Sequence, residues 1–170
     1  MASSRPLLAP DSPPPTISAV IKHLEVSRDI KASPEAVWNA ISDVTRMGEW
    51  SPECHTCEWN NGATGPAVGV RFTGHNRNGD YEWTTEAEIV ECVPGEKFVF
   101  EGVFGDLRFA RWGYLIEATD DGCRVTEVWD DGRPENVIEF TKSITGVDDR
   151  AEHNRKGMEE TLARLAAVVE

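Results

Sequence analysis

The chain has 170 residues, and its 17 Lys+Arg against 30 Asp+Glu leave a net charge of −13. A single core serves up to roughly 250 residues, so one domain is expected, with enough buried surface for an internal pocket. So acidic a balance argues against nucleic acid, whose phosphates need clustered Lys and Arg, and against an electrostatic hold on anionic membranes.

No segment approaches the ~18 consecutive apolar residues of a membrane span; the longest pure run is Leu165 to Val169. Near the start, Arg5 and the short patch Leu7-Leu8-Ala9 fall short of the charged and apolar regions of a signal peptide. A chain that is not exported keeps its thiols reduced, so Cys54, Cys57, Cys92 and Cys123 read as buried free cysteines and the expected compartment is the cytoplasm.

Residues 1 to about 16 carry Pro6, Pro10, Pro13, Pro14 and Pro15 among Ser and Ala, a composition that cannot offset the entropy of ordering. They read as a flexible tail before a single domain over 17–170. From His23 to Ile30 the chain alternates, with Leu24, Val26, Arg28 and Ile30 on one largely apolar face, as in a half-buried strand. Ser33-Pro34-Glu35 then announces a helix: Ser33 accepts from a free N–H, Pro34 suits the first position and Glu35 complements the dipole. Val37, Trp38, Ile41 and Val44 continue at helical spacing, and Met47 to Pro52 reads as a short second helix or turn.

Six strand-like runs follow, at about 54–60, 67–77, 81–92, 97–104, 109–119 and 123–130. Turn chemistry separates them: Asn60-Asn61-Gly62, Asn78-Gly79-Asp80, Pro94-Gly95, Gly105-Asp106 and Asp120-Asp121-Gly122. Strands joined by such short turns are antiparallel neighbours. Val137 to Ile144 reads as a short helix. Asp149 to Val169 reads as a long one, with Met158, Leu162, Leu165 and Val169 as its apolar stripe. The order predicts an α+β domain: a strongly bent seven-stranded antiparallel sheet wrapped around the C-terminal helix, with two short helices after the first strand. One helix is too thin to fill such a sheet, which leaves room for a cavity.

Several stretches resemble the polyketide cyclase/dehydrase and lipid-transport superfamily, also called SRPBCC or START-like. They are Ser33-Pro34-Glu35-Ala36-Val37-Trp38 with Asp43 and Trp50-Ser51-Pro52, then Gly69-Val70-Arg71-Phe72-Thr73-Gly74. Trp112-Gly113-Tyr114, Gly122-Cys123-Arg124-Val125-Thr126-Glu127 and Gly157-Met158 through Leu165 complete the set. The resemblance spans about 20–170 and implies the helix-grip fold. Its members include lipid carriers, hormone receptors, aromatases and cyclases, and they share no catalytic residue to transfer.

Strand alternation assigns the cavity wall. Glu82, Glu86 and Glu88 require solvent, so Trp83, Thr85, Ala87 and Ile89 face inward. By the same logic Val70, Phe72, Gly74 and Asn76 point inward, as do Phe98 and Phe100, the row Trp112, Tyr114 and Ile116, and the row Val125, Glu127 and Trp129. The candidate ligand-binding set is therefore Phe72, Asn76, Trp83, Thr85, Phe100, Trp112, Tyr114, Glu127, Trp129 and, from the last helix, Met158. An aromatic wall with a few polar groups suits a hydrophobic small molecule; a solid core of the same residues is the competing reading. Glu127 stands out, because a carboxylate on an apolar face is costly unless paired. Burial makes it a candidate proton donor or acceptor, and a bond to Tyr114, Trp112 or Arg111 makes it a structural group.

Other chemistry finds little support. Cys54-His55-Thr56-Cys57 lacks the second cysteine pair of a structural zinc site, and residues three apart in a regular strand point to opposite faces, so these thiols are not expected to meet. His23, His55, His75 and His153 show no ligand spacing, and Gly69, Gly74 and Gly79 form no phosphate loop. No metal and no cofactor is expected. The sequence thus predicts a carrier or sensor of a hydrophobic or aromatic small molecule, monomeric or homodimeric, with no nucleic-acid partner. A cyclase or aromatase using the same cavity is the alternative.

Overall fold

The computed structural model describes residues 22–170, so the proline-rich segment and the start of the domain at residue 17 lie outside the described residues. The elements run β1 (His23–Ile30), α1 (Pro34–Ile41), a 3₁₀ turn (Val44–Glu49), β2 (Cys54–Trp59), β3 (Arg71–Asn78) and β4 (Tyr81–Val93). They continue with β5 (Lys97–Phe104), β6 (Leu107–Thr119), β7 (Gly122–Asp131), α2 (Glu135–Thr145) and α3 (Arg150–Val169).

The helix starts follow the signals in the sequence. Ser33 accepts from Ala36 N at 3.1 Å, with Pro34 opening α1. Asp149 caps α3 by accepting from Glu152 N at 3.0 Å. Asp43 caps the 3₁₀ turn, which therefore begins at Val44, three residues before the short helix expected from Met47. A second difference lies at β3, which begins at Arg71 and not at residue 67. Gly69 adopts φ +88°, a left-handed conformation that breaks the extended run, and Val70 N donates to Ala67 O across a turn.

All seven strands form one antiparallel sheet in the order β1-β7-β6-β5-β4-β3-β2. Consecutive strands from β2 to β7 pair as hairpins, and β1 closes the order by pairing with β7, matching the antiparallel meander in the sequence. Register shifts at Cys54/Thr56, Ile89/Glu91 and Gly102/Val103 mark bulges, which add local twist and bend the sheet.

The concave face holds the core. From α3, Leu162, Leu165 and Ala166 pack with Ile30, Val37, Ile41, Phe98 and Val125. One end of the same helix places Ala151 and Met158 against Leu24 and Trp129. The convex face carries the acidity, but not as bare charge. Arg71 pairs with Glu86 and Glu88, Arg108 with Glu88 and Glu101, and Arg111 with Glu101 and Glu91. The acidic β4–β5 hairpin reads in sequence as opposed by Lys97 alone; the sheet brings it three arginines from the strands on either side. Solvent screens such exposed pairs, so the network chiefly fixes which face is wet.

Leu165 is fully buried where α3 meets the sheet. Leu165→Ala is expected to lower stability by about 2–5 kcal/mol, read as a drop in the urea midpoint with unchanged slope.

Candidate functional site

All ten candidate residues lie on the concave face or on the side of α3 turned toward it. They fall into three groups. In the first, Phe72 meets Phe100 edge-to-face at 5.2 Å between ring centroids, and Phe100 meets Phe98 at 5.9 Å. In the second, Trp112 and Trp129 lie 6.2 Å apart, and Trp129 packs against Met158 of α3. The third group is polar. Asn76 Nδ2 donates to Thr85 Oγ1 at 3.2 Å, and Tyr114 Oη donates to Glu127 Oε1 at 3.1 Å. Trp83 sits apart at the rim, with the Arg150 guanidinium 5.9 Å from its ring centroid.

The sequence reading missed Trp59, which touches Phe72 edge-to-face at 6.2 Å. With it the aromatic residues form a row across the sheet: Trp59 on β2, Phe72 on β3, Phe100 and Phe98 on β5. Phe98 pairs with Tyr114 on β6, and Tyr114 with Glu127 on β7. Trp59 was legible as the one apolar large residue of its strand, but the turn Asn60-Asn61-Gly62 beside it masked its direction. Its far side opens on a cleft of about 540 Å³ between α1, the 3₁₀ turn and the β2–β3 loop, lined by Trp38, Ser42, Asp43, Trp59 and Pro66 among others. None of the ten candidates lines this cleft; Phe72 touches it through Trp59.

Glu127 is the electrostatic centre. It is 4% exposed, and Oε2 has no hydrogen-bond partner among the described residues. Burial raises its pKa to about 8, with the Tyr114 hydrogen bond pulling the other way. Burial also pushes Tyr114 well above the ordinary tyrosine value, helped by the neighbouring carboxyl. Of the three structural partners considered, Tyr114 is the one used; Arg111 lies on the convex face with Glu101 and Glu91. At neutral pH the pair is therefore an uncharged carboxylic acid and a phenol, buried among aromatic rings and able to give or take one proton.

Two further groups were not singled out from sequence. Asn154 of α3 is buried with an unpartnered Nδ2, one turn before Met158. At the rim, Glu53 bonds Arg150 at 2.7 Å and His153 at 3.3 Å. Burial alone would raise the Glu53 pKa, but the hydrogen bond to His153 and the Arg150 guanidinium outweigh it and hold the carboxyl below its ordinary value.

A second correction concerns the cysteines. Cys54 and Cys57 do meet, with 3.3 Å between sulfurs. The bulge between Cys54 and Thr56 makes His55 an extra residue, one step of the alternation is lost, and both thiols turn to the concave face. Buried residues at i and i+3 in an extended segment are the sequence signal of such a bulge. Among the described residues no three His, Cys, Asp or Glu side chains group as a metal site, and no helix is long and apolar enough to cross a membrane.

A curved antiparallel sheet gripping one C-terminal helix defines the helix-grip class of proteins. Residues 22–170 match the family described as polyketide cyclase / dehydrase and lipid transport, and the chain belongs to it. Among solved structures it is similar to protein CV1439 of Chromobacterium violaceum, at 20% identity and TM-score 0.64, covering 88% of this chain and 99% of that one. It is similar also to protein MLL2253 of Mesorhizobium loti, at 19% identity and TM-score 0.61, covering 86% and 95%. A third likeness is to StfQ, a di-domain aromatase/cyclase of the steffimycin pathway, at 16% identity and TM-score 0.65, covering 86% of this chain and 50% of that one. A search of curated proteins finds no match.

The buried acid sets a pH dependence. Between the ordinary carboxyl value near 4.5 and about 8, the unfolded chain releases the Glu127 proton while the folded chain keeps it. Stability from this group is therefore complete below about 4.5 and falls as pH rises toward 8. Glu127→Gln removes that slope. It is expected to stabilise the protein at pH 8 relative to pH 5 by a few kcal/mol against wild type, measured by urea unfolding at both pH values.

Proposed function

We propose that the protein binds a hydrophobic or aromatic, lipid- or polyketide-like small molecule between the sheet and α3, and serves as its carrier or sensor. The observation that carries this reading is the aromatic row from Trp59 to Tyr114 ending on a neutral Glu127. The rings offer apolar contact to the body of a ligand, and the Glu127–Tyr114 pair offers a hydrogen bond to one hydroxyl or carbonyl without placing a charge in the interior. Phe72, Phe100, Trp112, Trp129 and Met158 supply the apolar wall, Asn76 and Thr85 a second polar contact, and Trp83 the rim. The cleft beside Trp59 is the way in, since it reaches the row from solvent. The family's own description pairs lipid transport with polyketide cyclisation, and both need this kind of wall.

The second reading, a cyclase or aromatase, is favoured by one observation: a buried carboxyl bonded to Tyr114 through one oxygen has its other oxygen unpartnered among the described residues, and burial raises its pKa to about 8, which suits proton transfer at neutral pH. The wall would then orient a folded polyketide chain while Glu127 hands a proton to a developing enolate and Tyr114 holds the carboxyl in place.

Titration with Nile red, a neutral polycyclic fluorophore, is expected to saturate. Phe72→Ala should weaken binding about ten-fold while the circular dichroism spectrum is retained. Non-saturable binding, or an unchanged Kd in folded Phe72→Ala, contradicts the proposed site. The two readings separate on Glu127→Gln with a poly-β-ketone thioester: retained affinity with abolished turnover establishes the enzyme, and no turnover by wild type establishes the carrier.

A further inference from the structure

We propose that Cys54 and Cys57 form a reversible oxidation site, a dithiol on the concave wall that closes to an intrachain disulfide when the protein meets a peroxide. The argument is geometric. The bulge at His55 puts both sulfurs on one side of β2, 3.3 Å apart. A disulfide needs about 2.05 Å, so closure asks for a movement of ~1.3 Å, shared between two side chains. The facing position on β3 is Gly74. A Cβ there would stand 3.2 Å from Cys54 Sγ and 3.6 Å from Cys57 Sγ, so the bare glycine leaves the sulfurs the space to move. Nothing else bonds the pair tightly: Cys54 Sγ reaches Thr56 O at 3.5 Å and Cys57 Sγ reaches Met47 Sδ at 3.7 Å.

The two thiols are not equivalent. The hydrogen bond from Cys57 lowers the Cys54 pKa against the opposing effect of burial, while the same bond and burial hold the Cys57 proton on. Cys54 is therefore the attacking sulfur. Its thiolate attacks one peroxide oxygen, the O–O bond breaks, and the departing hydroxide takes a proton to become water, leaving Cys54 as a sulfenic acid. Cys57 sulfur then attacks the Cys54 sulfur; the S–S bond forms, the S–OH bond breaks, and the hydroxide leaves with the Cys57 proton as a second water. Two thiols and one hydrogen peroxide give one disulfide and two waters, and the two electrons lost by sulfur are those gained by peroxide. Each cysteine keeps 8% of its surface exposed, and both lie on an edge strand of the sheet. Cys92 and Cys123 have no such neighbour, and burial raises both their pKa values.

The test uses the full reduced chain. Trypsin releases Met47–Arg71 as one peptide that holds both cysteines and no others. After hydrogen peroxide that peptide is expected to lose the mass of two hydrogens, to resist alkylation, and to recover with dithiothreitol. Cys92 and Cys123 should stay alkylatable, reacting about ten-fold more slowly or less. Cys57→Ser should stop at the first step, with Cys54 labelled by dimedone. The proposal is overturned if the peptide keeps two alkylatable thiols while Cys92 or Cys123 oxidises, or if a disulfide joins two chains instead. Should Cys57→Ser fail to fold, the wild-type mass change decides alone. These readouts involve no ligand, so they stand or fall separately from the binding reading.

Discussion

The rest of the structure depends on the packing of one helix into one bent sheet. Seven strands offer a single broad apolar face, and among the described residues α3 is the only long helix that covers it. Its stripe of Met158, Leu162 and Leu165 must therefore meet residues from β1, β5 and β7 together, and the strands must curve to reach it. Bulges in β2, β4 and β5–β6 supply the curvature, and α1 with the 3₁₀ turn covers the margin that α3 does not. The sidedness is enforced from outside as well. The convex face of β4 and β5 is so acidic, and so laced to Arg71, Arg108 and Arg111, that a register slip of one residue would bury the whole network.

Against that apolar interior the Glu127–Tyr114 pair is an exception with a cost. Burying a carboxyl with one oxygen unpartnered opposes folding by about 1–3 kcal/mol or more, and the protein limits the cost by keeping the proton on. A hydrophobic residue of similar size would pack there without that cost. What the acid adds is a hydrogen-bonding group whose charge can change, at the end of a row of rings. The exposed ion pairs of the convex face have no such reason to sit in the interior, and none does.

Much of this was legible in the residues. The strand alternation of Trp83-Thr85-Ala87-Ile89 against Glu82, Glu86 and Glu88 assigned the inner face, because a charge cannot be buried unpaired while an aromatic ring can. The cap Ser33 fixed the start of α1, since an N–H at a helix end needs an acceptor nearby. What was hidden depended on departures from regular period. A pattern of period two has no way to anticipate an inserted residue, so the His55 bulge inverted the expected geometry of Cys54 and Cys57. The Gly69 turn likewise ended a strand that hydrophobicity alone would extend to residue 67. Partners far apart in sequence were hidden too: Arg150 and His153 on α3 meet Glu53 only because the helix crosses the sheet edge.

These departures gather at one margin of the sheet. The His55 bulge, the dithiol, Gly74, the Trp59 cleft and the Glu53 network all involve β2 and β3 or the segments that flank them, whereas the β6–β7 and β1–β7 pairings run in unbroken register. Bulges also interrupt β4 and the β5–β6 pairing, but those strands are paired on both sides, so each is held by a neighbour on either edge. β2 lies at the end of the strand order, with a hydrogen-bonded neighbour on one side only, and it carries an extra residue and a three-residue thiol pair that no packing rule requires. An edge strand with a bulge can shift by an ångström without disturbing the ladder behind it, which is what either ligand passage beside Trp59 or closure of Cys54 onto Cys57 asks of it. The same strand would thus take up the movement that both proposals ask for, while the far strands, anchored by α3, hold Glu127 in place.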